Sequence, residues 1–565
     1  MRALACSALA AFALTCLLDP GSPAPRGADA PPERFSTARA WPALEEIAAA
    51  PHPLGSPRQA EVRAFLEAEL ERLGVAWESR PWTLASGGRV HQGVNLLARV
   101  PAREAGAPRV LFVAHYDSRA GAPGAGDAGA AVAAVLECLR ALRAEPARRN
   151  ALEFLLTDGE EAGLLGARAH VQSPDALAGL ACAINFEGRG NRGPAILFET
   201  GRDDRAWIAA FAACAPRPLG SSLGPAVYER MPNDTDFTLF RRAGLPGLNF
   251  AWVGGGTAYH QPADTPTNLD RRALQHHGET MLALARHLGE ADLGALAAER
   301  GRATFFTLPG NLFVHYDARW DAAVLALAWL AVLGALAAGV RARRLSIAGA
   351  TLGLLALPLV ALLGAALLAA AGLGLRGLAA LVPIRGGPAQ GNGESSTWLL
   401  VGLVALGFAL ASVAAWRRGP RTRTGLAAGA LVGWAALAGA AHFGIAGASH
   451  AFAWPTVAAA LAFAAAGRLQ DGAEGARGAA FVLAAATAGF LALTLPTLKL
   501  LHQVGSTQPA LGLPLAALLI GLALPLALPL AATLDAARGP RARCLALAVG
   551  LVPLAFGGLL EAMGR

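Results

Sequence analysis

The chain has 565 residues, 54% of them hydrophobic, and a formal net charge of +8. That length is too great for one ordinary core. The positive charge sits in short arginine-bearing loops between apolar runs, with no basic stripe interleaved with aromatics, which excludes a nucleic-acid partner.

Residues 3–18 form a short apolar run after Arg2, so 1–18 reads as a signal peptide or signal anchor. The stretch "DPGSPAPRGADAPPE" places a linker over 19–40. A mixed polar and apolar domain follows over 41–295, then a second linker over 296–318. Within the domain, "RVLFVAH" (109–115) and "ALEFLLT" (151–157) read as buried parallel strands. The segments 182–188, 195–200 and 245–252 are further strands, and 57–73, 127–143, 161–172, 203–213 and 270–289 are helices. The alternation predicts an α/β fold with a mostly parallel, mixed sheet between helix layers. Ligands bind such sheets beyond the carboxyl ends of the strands.

Residues 319–565 read as an all-α polytopic membrane domain of about eight helices. The apolar runs lie near 320–340, 345–372, 397–416, 424–445, 450–467, 478–498, 508–534 and 544–562. Abundant Gly and Ala predict close helix packing. Twelve arginines (341, 343, 344, 417, 418, 421, 423, 468, 477, 538, 541 and 543) fall in alternate loops, against Arg376, Arg385, Lys499 and Arg565 on the other side. The positive-inside rule makes the twelve-arginine side cytoplasmic, so the 41–295 domain lies outside the cytoplasm. The single lysine against 47 arginines suggests a GC-rich, bacterial genome, hence a cell-membrane location. The six cysteines show no CxxC spacing, and the sequence leaves open whether Cys182 and Cys214 pair.

Acids and histidines recur where predicted strands end. "FVAHYDS" ends with His115 and Asp117, "TDGEE" with Glu160 and Glu161, and "NFEGRG" with Glu187. "GAGDAGA" sets Asp127 among small residues, and "AYHQPAD" carries Tyr259, His260 and Asp264. Singly, each has an ordinary explanation. Asp127 could be a helix N-cap, and the doubled glutamate could suit a helix N-terminus. Jointly, two histidines and several carboxylates are the ligand set of a divalent metal, zinc above all.

The blocks "HYDS", "GAGDAGAAV", "DGEEAGLLGA", "NFEGRG" and "YHQPAD", in this order, resemble the metal-site blocks of the M28 family of zinc metallopeptidases. The upstream "HPLGSPRQAEVRAFLEAEL" and "GVNLLARVP" are similar to that family as well. The following spans resemble its membrane branch, that of endoplasmic reticulum metallopeptidase and vacuolar membrane protease. The resemblance implies an aminopeptidase-like fold and two zinc ions per chain. His115 and Glu187 would hold one, Glu161 and His260 the other, with Asp127 bridging. Many soluble members carry Asp where this chain has Glu187, and the membrane branch tends to have Glu. Glu160 would be the general base and Tyr259 an oxyanion donor. Asp117 would orient the His115 imidazole, and Asp236 and Asp264 would support the site. The implied partners are a peptide with a free N-terminus and the lipid bilayer. Three alternatives stay open: a single-zinc glutaminyl cyclase, a non-catalytic relative, and a transporter with an accessory soluble domain.

Overall fold

The computed structural model describes residues 22–173, 175–355 and 420–468, with a few isolated positions between 485 and 496. It divides into two compact units: residues 21–307 with 311–318, and residues 319–565 with two short flanking pieces. The segment 1–18 and the spans expected at 397–416, 508–534 and 544–562 lie outside the described residues, as does most of 478–498.

The first unit begins with two helices, α1 (Thr37–Ile47) and α2 (Pro57–Leu73). Helix α2 is bounded as its sequence dictates. The Ser56 side chain accepts from the Gln59 amide, Pro57 starts the first turn, and Gly74 closes the end at φ 59°. An antiparallel hairpin follows, β1 (Ala76–Ser86) and β2 (Arg89–Val100). Next come β3 (Arg109–His115), α3 (Ala130–Arg143), β4 (Ala151–Thr157), α4 (Leu165–Gln172) and β5 (Leu180–Gly188). The unit continues through β6 (Ile196–Thr200), α5 (Arg205–Cys214), α6 (Leu223–Tyr228), α7 (Asp236–Arg242) and β7 (Gly247–Trp252). It ends with α8 (Arg271–Glu290), α9 (Leu293–Ala298) and a second hairpin, β8 (Ala303–Leu308) and β9 (Leu312–Asp317).

The seven-stranded sheet has the order β1-β2-β4-β3-β5-β7-β6. Its centre, β4-β3-β5-β7, is parallel, and the pairings β1-β2, β2-β4 and β6-β7 are antiparallel. The sheet is therefore mixed. Strand β3 pairs with β4 on one side and β5 on the other, so successive crossovers diverge around its carboxyl end. That end is the switch point where such sheets bind ligands. A core covers each face of the sheet: on one, Phe112, Phe154, Phe186 and Phe250 from the strands meet Val132, Leu139 and Met281 of α3 and α8, and on the other, Leu111, Val113 and Leu155 meet Phe237 and Phe240 of α7.

Four expectations from the sequence need correction. Residues 22–40 are not a free linker. Arg26 pairs with Glu279 on α8 at 2.7 Å, and Phe35 is buried against Gly278, where a Cβ would overlap its ring. Residues 296–318 likewise fold onto the unit, with Phe305 and Phe306 buried and Arg205 paired to Asp317 at 3.1 Å. The helix expected over 161–172 begins only at Leu165, because Gly163 and Leu164 take φ values of 111° and 59°. The helix expected from 127 begins at Ala130, and Asp127 itself is non-helical at φ −120°, ψ 91°. Cys182 and Cys214 are free thiols.

In the second unit, α10 (Asp321–Arg341), α11 (Pro420–Gly444) and α12 (His450–Arg468) are described. Two helices, Ala318–Arg341 and Thr424–Gly444, are long and apolar enough to cross a membrane, whereas the apolar stretch His450–Ala465 is shorter. Of the span expected at 345–372, residues 347–355 are helical and the described part stops there. Helix α10 buries Leu325, Ala328 and Val332, yet its Leu330 and Leu333 are exposed. Apolar on both faces, it has the character of a helix in lipid. Small residues set the packing: a Cβ at Gly425 or Gly429 would strike the backbone of residues 346–354.

Candidate metal centre

His115 is the last residue of β3 and is fully buried. Its Nδ1 lies 2.9 Å from the Asp117 carbonyl, which selects the Nδ1–H tautomer and turns the Nε2 lone pair toward the crevice. There Nε2 faces Asp127 Oδ1 at 3.1 Å and Glu187 Oε2 at 3.4 Å. The other Glu187 oxygen accepts from Asn185 Nδ2 at 3.1 Å. Asn185 stands two residues before Glu187 on β5, hence on the same face, a period-two signal that sequence reading could have used.

Asp127 turns its second oxygen to His260 Nε2 at 3.2 Å, and Glu161 Oε1 reaches the same nitrogen at 3.0 Å. Two donor triads result, His115–Asp127–Glu187 and Asp127–Glu161–His260, which share Asp127. The buried Glu161 Oε1 has no hydrogen-bond partner despite its nearness to the imidazole. Imidazole nitrogens and carboxylate oxygens that converge on one point, with a buried oxygen left unsatisfied, are what a common cation requires. Two imidazoles and three carboxylates also suit zinc by chemistry. The residues present therefore fit a pair of zinc ions.

The electrostatics point the same way. Burial disfavours a charged His115, but Glu187, Asp117 and Asp127 outweigh it and raise its pKa well above the usual range. His260 is likewise raised to about 9 against its burial, by Asp127 and Glu161. Burial opposes ionisation of Asp127 as well, and the two histidines more than offset it, lowering its pKa. The carboxylates of the cluster favour positive charge in the crevice, which a bound metal would supply.

Two further aspartates hold the loops that present these ligands. Asp264 accepts from the Gly126 and Asp127 amides at 2.7 and 3.2 Å, and its carbonyl accepts from the Ala125 amide at 3.1 Å. Asp127 is therefore not a helix cap; its loop is clamped so that the carboxylate enters the crevice. Gly126 and Gly188 allow the clamp, because a Cβ on Gly188 would overlap the Gly126 carbonyl. Asp117 does the same for the doubled glutamate. Its Oδ1 accepts from the Glu160 amide at 2.9 Å and its Oδ2 from the Glu161 amide at 3.2 Å. Asp117 was expected to orient His115, and it does so chiefly through its main chain. The carboxylate stands 3.6 Å from Nδ1, and the closer backbone carbonyl takes that role.

Glu160 points elsewhere than Glu161. Among the described residues no side chain donates to its carboxyl, whose pKa is raised well above the usual range by burial and by Glu187, Asp236 and Glu161, against the pull of His115. Asp236, buried at the start of α7, accepts from Thr157 Oγ1 and leaves its other oxygen without a donor. Burial pushes its pKa up to about 7. Tyr259 stacks on His260 with ring centroids 3.7 Å apart. His260 itself holds a left-handed φ of 58°, uncommon for a residue with a side chain.

Residues 95–285 match the model of Peptidase family M28. The chain carries an M28 peptidase domain. Over 231 residues it is 29% identical to endoplasmic reticulum metallopeptidase 1 of Mus musculus, covering 40% of this chain and 26% of that protein. Over 318 residues it is 28% identical to the vacuolar membrane protease of Eremothecium gossypii, covering 51% and 31%. The chain thus spans about a quarter to a third of these relatives' lengths. An aminopeptidase from Aneurinibacillus sp. strain AM-1 aligns over 46% of this chain and 95% of its own, with 13% identity and a TM-score of 0.40, too low to bear on the site. Every residue singled out as a ligand in the M28 blocks falls in one of the two triads.

Proposed function

We propose that the protein is a membrane-anchored di-zinc peptidase that removes residues from the free N-terminus of peptides outside the cytoplasm. The observation that carries this reading is the sharing of Asp127 by two complete donor triads, with the Glu160 carboxyl beside them and unclaimed by any described donor. In this reading His115 and Glu187 would hold one zinc, Glu161 and His260 the other, and Asp127 would serve both.

When bound, such a pair supplies a Lewis acid for the scissile carbonyl and lowers the pKa of water to about 7. Glu160 accepts the proton of the attacking water and returns it to the departing amine. Tyr259 donates to the oxygen on which negative charge develops. Asp264 and Asp117 keep the Asp127 loop and the Glu160–Glu161 turn in place during this exchange. The membrane helices anchor the domain, and the arginines at 341, 343 and 344 after α10 stay in the cytoplasm.

The test is Glu160→Gln in the full-length protein. The variant keeps its zinc and loses aminoacyl-peptide hydrolysis by about 10²- to 10⁴-fold, the usual scale of general-base catalysis. Hydrolysis at the wild-type rate would remove Glu160 as the base, and hydrolysis that survives removal of metal would remove the metallopeptidase reading.

A further inference from the structure

Arg189 lies two residues beyond Glu187, where the chain leaves β5. Its guanidinium carbon is 5.4 Å from the centroid of the Tyr259 ring, and that ring stacks on His260 at 3.7 Å. The guanidinium is therefore no farther from the His260 imidazole than those two distances together. Tyr228 stands in the same region, edge-on to Phe198 at 4.8 Å. The charges of Arg189 and Glu160 both act on Tyr228 and on Tyr259. Arg189 and the two tyrosines thus share the surroundings of the proposed base.

What Arg189 lacks is a counter-ion. The ion pairs of the site are made by His115, His260 and Arg119, and among the described residues no carboxylate stands within ion-pair distance of Arg189. Its Nε is buried and has no acceptor. The Asn233 amide end stands 2.8 Å from both Nη atoms and satisfies them when its oxygen is assigned to that side, a single neutral acceptor for the fork. A guanidinium fork is built to hold two carboxylate oxygens side by side. Here a single amide oxygen from the loop before α7 spans the fork, a place that an incoming carboxylate can take.

We infer that Arg189 is a specificity residue that receives a substrate carboxylate within one residue of the scissile bond, displacing the Asn233 amide. One residue of extended chain spans about 3.8 Å, so the free C-terminus of a dipeptide meets this description, as does an acidic side chain beside the bond. The inference rests on the peptidase reading above. It adds that the preferred substrates carry a negative charge close to the cleavage point.

The experiment compares kcat/KM of the full-length, zinc-loaded protein on Leu-Ala, Leu-Ala amide, Leu-Asp amide and Asp-Ala amide. A charge-assisted hydrogen bond corresponds to about tenfold or more in kcat/KM. At least one carboxylate-bearing substrate should exceed Leu-Ala amide by that factor, and the fastest identifies the source of the carboxylate. In Arg189→Gln the ratio should fall to near one, and Arg189→Lys should keep part of it. Zinc content and thermal midpoint check that the variants fold, and the wild-type ratio stands without any variant. Hydrolysis of all four within about twofold, or a ratio that survives Arg189→Gln, overturns the role of Arg189 and leaves the peptidase standing. Hydrolysis of none removes both.

Discussion

Replacing Asp264 by Asn tests whether the Asp127 loop is held from outside the ligand set. The native carboxylate accepts from two amides, Gly126 at 2.7 Å and Asp127 at 3.2 Å. A carboxamide in its place offers one acceptor and one donor group. Its oxygen can keep the Gly126 amide, but its NH2 then faces the Asp127 amide, donor against donor. The change removes a charge-assisted bond and strands a buried N–H, each about 1–3 kcal/mol. Part of that cost is absorbed by relaxation, and the remainder appears wherever Asp127 must hold its position, which is in metal binding. The expected loss of zinc affinity is about 10- to 100-fold, the range seen when a group behind a metal ligand is removed. The assay is competition between the full-length protein and a chromophoric chelator, wild type against Asp264→Asn. A thermal midpoint in the zinc-free state within a few degrees of wild type excludes general unfolding. Unchanged zinc affinity in a folded variant would refute the clamp.

Two other outcomes follow from different parts of the molecule. His170 in α4 is buried with neither ring nitrogen bonded, and burial, aided by Arg80, Arg109 and Arg99, lowers its pKa to about 4. The unfolded chain therefore binds the extra proton first as pH falls. The stability present above pH 6.5 is lost progressively down through pH 4, reaching about 2 kcal/mol at pH 5. His170→Leu should gain a few degrees of thermal midpoint over wild type between pH 7 and pH 5, and a constant difference would show that His170 does not titrate in this way. A reporter fused after Arg344 should report the cytoplasm, and a reporter active on the other side of the membrane would invert the orientation.

The elements that the sequence announced are those whose pattern is local. Strands β3 and β4 are mostly apolar runs, broken in β4 only by Glu153, and each delivers an acid or histidine just where it ends. The M28 blocks marked the donors, because coordination chemistry restricts residue type at each position. Features set by the surroundings of the chain were less visible. Strand β1 mixes polar and apolar residues around Pro81 and buries only Trp82, so it lacks the signal of a buried strand. The helix expected at 161 is delayed by two left-handed residues, and that delay frees the Glu160 and Glu161 amides for Asp117. Asp117 was singled out as a neighbour of His115, but its bonds to the Glu160 and Glu161 amides were not, since only the fold brings it to a turn 43 residues away. Arg189 drew no notice in sequence because its meaning depends on Tyr259 and Asn233, which approach it from other parts of the chain.

The central claim is that one aspartate serves two metal sites. It is tested most directly by the zinc content of the full-length protein after gel filtration in zinc-free buffer, beside that of Asp127→Ala. The account predicts about two zinc ions per chain in the wild type and a loss from both sites in the variant. One zinc or none in the wild type, or two retained in Asp127→Ala, would contradict it.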